Sequence, residues 1–567
     1  MSNLMTPQAV AKYLSKTAPL LFSHLLEQSG QHEVRSYLPR RIGLCVSGGA
    51  DSMALAYLLH NMRQPLPTNE QLFAAHAFVV DHGVRFGSRD EAVQVQHNLR
   101  EMGITSRILT IDWSNYDLKN LLASGFEDTA RYHRYRVIVR AALKEDITDI
   151  FTGHHFDDQI ETLLLRLIRN ERTGPLGFQG MMAVNSVPCC HTVFGAQPLS
   201  SLVSPPLHSA LDGTSKDVLI AERLRNHGVR LHRPLLPFTK RQILSTCKHF
   251  QIPFIDDKTN TDPTFTARNA IRHLRTHYSF PKALQDQNLV ALQDGARTVL
   301  NDLENYSRSL CRLITKFRLH SHTGMLELCF GRISHLPLEV RGGLSYAMSR
   351  MFEIVSPVQS ETWPTLLDEQ VTNKIASILV DSTCKKHEPI LAYKTMLRSS
   401  IAFDTTGNHN VSLMIFRQPM RSAEIASNTF KFVGRTKLHI DTKRRVEEWK
   451  CPWLLWDSRF WIRLSSQEAG MIENITMRPY QPSDVCNTTK TLEEQGQFDN
   501  YKKQMFTSAP GNIKFTIPVL IYQQKVVSFP TLKICLVPSE WLQTTVRCAR
   551  SLRTMTFLRS NSLTLET

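Results

Sequence analysis

The sequence predicts an α/β fold: a doubly wound parallel sheet, followed by a helical domain and a smaller α+β C-terminal domain. Three observations carry that expectation. In the first 175 residues apolar strand-like runs alternate with amphipathic helical ones, the pattern of a parallel sheet covered on both faces. The first of these runs, ending Gly43-Leu44-Cys45-Val46, feeds the turn Ser47-Gly48-Gly49-Ala50-Asp51-Ser52, which opens a helical pattern at Met53, Ala54, Leu55, Leu58 and Leu59. A second polar cluster, residues 151 to 162, lies at another expected strand end, and ligands of such sheets bind beyond the carboxyl ends of their strands.

Strands are expected at 41 to 46, 73 to 80, 107 to 111 and 148 to 152, with another near 229 to 233. Helices fit between and after them at 52 to 61, 89 to 102, 127 to 145, 158 to 169 and 239 to 250. Between about 183 and 228 the pattern dissolves into Ser, Pro, Gly and His, which reads as an inserted, mobile loop. From about 281 helical periodicity dominates, as in Leu300, Leu303, Leu310 and Leu313, and after 390 shorter β-like runs appear with Pro and Gly punctuation. The expected division is therefore 1–280, 281–390 and 391–567, in keeping with 567 residues at about 150 per domain.

Lys and Arg total 67 against 51 acidic residues, a formal charge of +16 and a pI near 9.4. That balance points to a polyanionic partner more than to a metabolite, with an ordinary basic soluble protein as the alternative. The eleven cysteines are scattered and no two are spaced C-x-x-C, so no zinc or cluster framework is visible and reduced thiols are expected. The longest apolar stretches are far shorter than the 18 or so residues of a membrane span. The first 26 residues lack Asp and Glu but hold Lys12, Lys16 and several Ser and Thr. This composition fits part of an organelle-targeting segment, although arginine is missing, and an ordinary N-terminal helix fits as well. Mitochondrial matrix is the expected compartment, with cytoplasm as the alternative.

The Ser47 to Ser52 string has the chemistry of a phosphate cradle. Glycines at 48 and 49 let the backbone approach an anion, and helix-start N–H groups favour negative charge there. It is not a Walker loop, because Ala50 and Asp51 follow Gly49 where that pattern needs lysine. The pocket is thus expected to be lysine-free, with a metal-holding carboxylate in place of the point cation. In the second cluster, Thr152-Gly153-His154-His155-Phe156-Asp157-Asp158-Gln159-Ile160-Glu161-Thr162, either aspartate could simply cap a helix, with Glu161 completing a capping box. Capping leaves the paired histidines unexplained. The alternative takes Asp51 and Asp158 as oxygen ligands for Mg2+, with His154 and His155 beside the reacting phosphate.

Together these blocks resemble the tRNA(Ile)-lysidine synthetase family of PP-loop ATP pyrophosphatases. Further blocks agree in order: Asp81-His82-Gly83-Val84-Arg85; the helix with Glu127, Ala130, Arg131, Arg134 and Tyr135; Arg166-Leu167 and Gly174 to Gly177; Arg233-Pro234-Leu235-Leu236; Asp257, Asn260, Asp262 and Pro263; and Arg268-Asn269-Ala270-Ile271-Arg272-His273. The match is dense through residue 274 and patchy afterward, where Trp456 to Phe460, Arg478 to Asp484 and Ile517 to Leu520 resemble pieces of the C-terminal tRNA-binding region. Ser483 stands where that region commonly has glycine, and the 183–228 insertion is longer than the family normally shows.

The resemblance implies a Rossmann-like PP-loop catalytic domain, two tRNA-binding domains after it, and an ATP-dependent ligase using ATP and Mg2+. ATP adenylates the C2 oxygen of the wobble cytidine in a tRNA(Ile) with a CAU anticodon, and the ε-amine of free L-lysine then displaces AMP. The implied partner is RNA, with no DNA and no membrane. Ser47, Gly48, Gly49, Ala50, Asp51 and Ser52 would bind nucleotide, Asp51 and Asp158 the metal, and Asp51, His154, His155, Asp158, Arg131 and Arg233 would form the catalytic set. Arg131, Arg134 and Arg233 would hold phosphates or the cytidine, unless they form a solvated basic face or salt bridges. Asp81 and Glu127 would orient the ammonium of lysine or pair with nearby arginines.

Lys443-Arg444-Arg445 precedes Trp449, Trp453, Trp456, Phe460 and Trp461, interleaved with Lys450, Arg459 and Arg463, either an RNA-facing surface or a tryptophan core under a charge run. Arg547, Arg550, Arg553 and Arg559 would add phosphate contacts. Two alternatives stand beside the synthetase reading. A PP-loop tRNA thiolase would be expected to use paired cysteines, and a non-catalytic tRNA-binding relative would be expected to lose Ser47, Asp51 or the His154 to Asp158 cluster.

Overall fold

The computed structural model describes residues 4–17, 41–62, 73–84, 87–114, 116–117, 126–169, 174–197, 228–255, 262–264, 266–320, 322–331, 333, 336, 338–358, 366–380, 387–403, 409–432, 437–441, 446–468 and 470–549. They fall into two compact units, one running to Leu300 and the other from Asn301. Arg85, Asp257, Asn260, Lys443 to Arg445, Arg550, Arg553, Arg559 and most of the 183–228 segment lie outside the described residues.

The first unit holds helix α1 (Pro7–Thr17) and a six-stranded sheet in the order β3-β2-β1-β4-β6-β5. Its strands are β1 (Arg41–Val46), β2 (Ala74–Asp81), β3 (Thr105–Thr110), β4 (Asp149–Phe151), β5 (Val184–Ser186) and β6 (Arg230–His232). All neighbours pair in parallel except β5, which runs antiparallel on β6 at the edge. The crossover helices are α2 (Ala50–His60), α3 (Ser88–Glu101), α4 (Phe126–Lys144) and α5 (Phe156–Arg169), and α6 (Lys240–His249) follows β6. The expected elements agree with these to within about two residues. Ile42, Leu44 and Val46 of β1 are all buried, as a central strand covered on both faces requires. Helix α2 is buried nearly all round, from Met53 to Leu59, in one core with Phe151 of β4 and Ile243 and Cys247 of α6.

Strand order reverses at β1, whose neighbours are β2 on one side and β4 on the other. Connections leave β1 and β4 in opposite senses, so a crevice opens beyond their carboxyl ends. Both motifs sit there, Ser47 to Ser52 after β1 and Gly153 to Asp158 after β4.

The loop reading fails for residues 184–197. Beyond edge strand β5, Val187, Cys190, Val193 and Ala196 are buried against Ile138, Val139 and Ala142 of α4. Val193 N–H donates to Cys190 O and Ala196 N–H to Val193 O, so successive tight turns place every third side chain on the core. Segment 174–183 is tied down as well, with Gln159 of α5 donating to Met181 O (2.7 Å) and accepting from Met181 N–H (2.6 Å).

Helices α7 (Ala267–His277) and α8 (Asp286–Cys311) come next, and then the helical expectation breaks. A hairpin of β7 (Ile314–His320) and β8 (Met325–Phe330) turns at Gly324 (φ +70°), ahead of α9 (Leu338–Val355) and α10 (Glu369–Val380). Phe317-Arg318-Leu319-His320 and Leu326-Glu327-Leu328 alternate at period two, and that local signal outweighs the helical surroundings. Strand β8 pairs with β11 (His409–Arg417) in the sheet β7-β8-β11-β10-β9, where β9 is Ile390–Ala392 and β10 is Thr395–Phe403. One sheet therefore takes strands from both sides of residue 390.

Two further sheets complete the second unit. One runs β12-β17-β18-β19-β20, from Phe430–Lys431, Thr476–Pro479, Pro518–Tyr522, Lys525–Phe529 and Ile534–Cys535. The other runs β13-β14-β16-β15, from Lys437–Asp441, Val446–Lys450, Phe460–Ser466 and Leu454–Trp456, with β21 (Gln543–Cys548) on β16.

The motifs of this half serve the fold. Asp457 and Ser458 both have positive φ (47° and 52°), the type I′ geometry that closes the β15–β16 hairpin. Asp457 accepts from Arg417 Nε (3.2 Å) and Arg459 Nε (2.8 Å), and Arg459 continues to Thr323 O and Thr516 O. All three ionic side chains are buried. Arg478 grips Asp484 through two 2.8 Å bonds, and Asp484 also accepts from Gln481 N–H. Trp456, Phe460 and Trp461 are buried, so the core reading holds for them, whereas Arg463 and Arg547 lie 4.7 and 5.5 Å over the half-buried ring of Trp453.

Candidate active site

The β1–α2 turn is shaped by two hydroxyls and two glycines. Ser52 Oγ donates to Gly49 O (3.0 Å) and accepts from Ser47 N–H (3.2 Å), folding the turn onto the first turn of α2. Gly48 has φ +88°, and a Cβ there would meet Val95 Cγ2 at 2.3 Å. Gly153, at the end of β4, allows a backbone approach, since a Cβ on it would stand 2.9 Å from the backbone carbon of Asp51. The two strand ends therefore touch through backbone, and their motifs share one site.

Asp51, His155 and Asp158 meet across that contact. His155 Nε2 lies 3.6 Å from Asp51 Oδ1 and 3.6 Å from Asp158 Oδ2, and Asp158 Oδ2 also accepts from His155 N–H (3.1 Å). Asp158 thus caps α5 and faces the site at once. Burial pushes its carboxyl up, but the neighbouring His155 ring and its backbone N–H outweigh that and hold it below the usual carboxylate range. His154 turns the other way, with Nδ1 2.9 Å from Thr152 Oγ1. Burial drives its pKa down to about 3, with Arg233, Arg131 and Arg268 pushing the same way, so it is neutral at physiological pH.

Arg233 is buried, with Nη1 donating to Met182 O (2.8 Å) and Asn185 Oδ1 (2.9 Å) while its Nε–H meets no acceptor among the described residues. Arg131 and Arg134 lie 5.3 and 5.8 Å from the Tyr135 ring centroid. Asp81 is committed elsewhere: it accepts from Gly83 N–H (2.9 Å) and Ser88 Oγ (2.8 Å), closing the turn after β2. Glu127 is exposed.

The expectation of a lysine-free pocket is overturned. Lys240 opens α6, and its Nζ donates to Asp51 Oδ1 at 2.6 Å while its backbone N–H donates to Asp157 Oδ2 at 2.8 Å. The cation comes from 189 positions along the chain instead of from the loop. A Thr239–Gln242 capping box fixes the start of α6, and Thr-Lys-Arg-Gln was the local trace of that helix start. The roles of α7 were not read either. Arg272 joins Glu161 (2.6 Å) to Asp158 (3.2 Å), and Arg268 lies 3.7 Å from Glu161. Their i, i+4 spacing puts both on one helix face. Burial nevertheless raises the Glu161 carboxyl above its ordinary range.

Asp51 and Asp158 are hard oxygen donors of the type Mg2+ takes, but Asp51 Oδ1 already holds Lys240, and no group of three or more His, Cys, Asp or Glu able to hold a metal ion occurs among the described residues. Lys240 and Arg272 pair with those two carboxylates, and Arg268, Arg233 and Arg131 act on the neighbouring His154, a set of cations suited to a polyphosphate.

A family model described as a PP-loop domain matches residues 23–276. The chain is 29% identical over 493 residues, 87% of its length and 91% of the relative's, to the "Probable tRNA(Ile)-lysidine synthase" of Schizosaccharomyces pombe. It is 34% identical over 223 residues, 39% of this chain and 48% of the relative, to a tRNA(Ile)-lysidine synthase of a Bradyrhizobium species. Among solved structures, the U34-tRNA thiolase NcsA of Methanococcus maripaludis aligns at TM-score 0.31 and 14% identity, covering 52% of this chain and 78% of that one, too far to carry an argument.

Proposed function

We infer that this chain, which belongs to the tRNA(Ile)-lysidine synthetase family of PP-loop proteins, is an ATP-dependent carbon–nitrogen ligase acting on tRNA. Its finer substrates, on this reading, are tRNA(Ile) with a CAU anticodon and free L-lysine, with Mg2+ as cofactor. The wobble cytidine O2 attacks the α-phosphorus of ATP, pyrophosphate leaves, and the lysine ε-amine then attacks C2 and expels AMP. Adenylation turns a poor leaving oxygen into a good one. The observation that carries this reading is the convergence of Asp51, His155, Asp158 and Lys240 at the reversal of strand order.

The N–H groups of the Ser47–Ser52 turn bind phosphate at the start of α2. Lys240, Arg272 and Arg268 balance charge that builds on the departing pyrophosphate. Neutral His154 offers a ring nitrogen without adding charge, and Arg233, with an unmet Nε–H, is placed to receive a phosphate or the cytidine. Bound Mg2+, held by Asp51 and Asp158, would neutralise phosphate oxygens. An unstacked anticodon base reaches such a pocket at little cost. The 281–390 and 391–567 segments bind the rest of the tRNA, and the acid-free N-terminal segment directs the chain to the mitochondrial matrix, which fractionation would test.

Thiolase chemistry is disfavoured by the thiols near this site. Burial pushes Cys45 to about 12 and Cys247, which contacts Ala50 O, to about 11, so neither is a ready nucleophile. The test is incubation with ATP, magnesium, radiolabelled lysine and the CAU-anticodon isoleucine tRNA, beside the methionine tRNA of the same anticodon. Label enters only the first RNA, and Asp51→Ala abolishes incorporation while leaving tRNA retention nearly intact. Label in neither RNA would refute the assignment.

A further inference from the structure

Helix α4 carries a second cationic feature, one residue beyond Arg131 and on an adjoining face. Tyr132, Arg136 and Arg140 follow one another at i, i+4, i+8, a stripe rising ~6 Å per step. Arg136 stacks 4.8 Å from the Tyr132 ring centroid, donates to Tyr132 Oη (2.8 Å) and bonds Thr192 Oγ1. No ion pair with Arg136 or Arg140 occurs among the described residues, and Arg140 is exposed. Burial lowers the pKa of Arg140, and Arg136 lowers it further, as expected of neighbouring unbalanced cations.

Beside the stripe lies an aromatic platform. His133 meets Tyr116 edge-on (5.2 Å, 87°) and Tyr132 edge-on (5.2 Å, 84°), with Nε2 3.0 Å from Tyr116 Oη. Buried Trp113 supports His133 (5.2 Å) and ties the platform to the end of β2 by donating to His82 O (2.6 Å). Tyr116 is 40% exposed. Burial, with Arg136 and Arg140, keeps His133 below its ordinary pKa, so the platform adds no charge of its own.

We propose that Arg136 and Arg140, with Tyr116 and His133, form an RNA-binding track on which the substrate tRNA lays consecutive phosphates against the guanidiniums and one unstacked base against the rings. Guanidinium forks suit phosphates and exposed aromatic faces suit bases of any sequence. The identification of the RNA as tRNA rests on the reading above, while the track itself rests on charge and ring geometry.

The test measures retention of the tRNA transcript across a salt series. Arg136→Gln with Arg140→Gln should weaken binding roughly tenfold and flatten the log–log salt slope by about 1.4 to 1.8, two phosphates' worth. Arg140→Gln alone, at an exposed position, should flatten it by about half as much, and Tyr116→Ala should weaken binding several-fold at unchanged slope. ATP affinity without RNA should stay at the wild-type level and report that the unit is folded. The track is refuted if Arg140→Gln leaves the slope unchanged, or if Lys12→Gln with Arg100→Gln, exposed charges elsewhere, flattens it as much. A wild-type chain that binds tRNA through the track but incorporates no lysine would sink the ligase reading and leave the track standing.

Discussion

Lys240 is the residue on which the nucleotide site turns. Its ammonium holds Asp51 at 2.6 Å and its backbone holds Asp157, so one residue joins the β1 and β4 motifs to the start of α6. Removing a pre-placed cation from a site of developing phosphate charge costs roughly 100-fold in rate. Lys240→Met should therefore lower tRNA-dependent AMP formation by about that factor with tRNA retention intact, measured by nucleotide chromatography. A rate unchanged within a factor of two would remove Lys240 from the machinery. The sequence points to Asp51, His155 and Asp158 because each lies inside a compact motif. Lys240 was invisible because its contact spans 189 positions and nothing near it in sequence signals a phosphate.

At the scale of elements, the catalytic sheet was legible almost entirely, since parallel strands buried on both faces write long apolar runs such as Ile42 to Val46. What escaped was short or edge-lying. Strand β5 has three residues, and the following plug is signalled only by Val187, Cys190, Val193 and Ala196 at intervals of three. The β7–β8 hairpin hides between two helical stretches. The segment Trp456 to Phe460, which resembles part of a tRNA-binding region, also has a local structural role, closing a hairpin around buried Asp457. Removing Asp457 would leave the buried Arg459 guanidinium without its carboxylate, while Arg417 keeps Glu424, a loss of about 3 kcal/mol. Asp457→Ala should accordingly lower the midpoint of denaturant unfolding of the second unit, and an unchanged midpoint would show that the knot contributes nothing.

At the scale of the whole molecule, a net charge of +16 and a basic pocket at a sheet's switch point agree on a polyanion as partner and a polyphosphate as co-substrate. Charge alone left an ordinary basic protein open, and the placement of Lys240, Arg268 and Arg272 around Asp51, Glu161 and Asp158 now connects charge to chemistry. On the proposed reading this pocket cuts ATP between its α and β phosphates so that AMP can be placed on a nucleobase oxygen. The direct measurement is the nucleotide product formed from α-labelled ATP in the presence of the isoleucine tRNA and lysine. AMP and pyrophosphate should form in step with lysine incorporation; ADP and phosphate in their place would overturn the proposed chemistry.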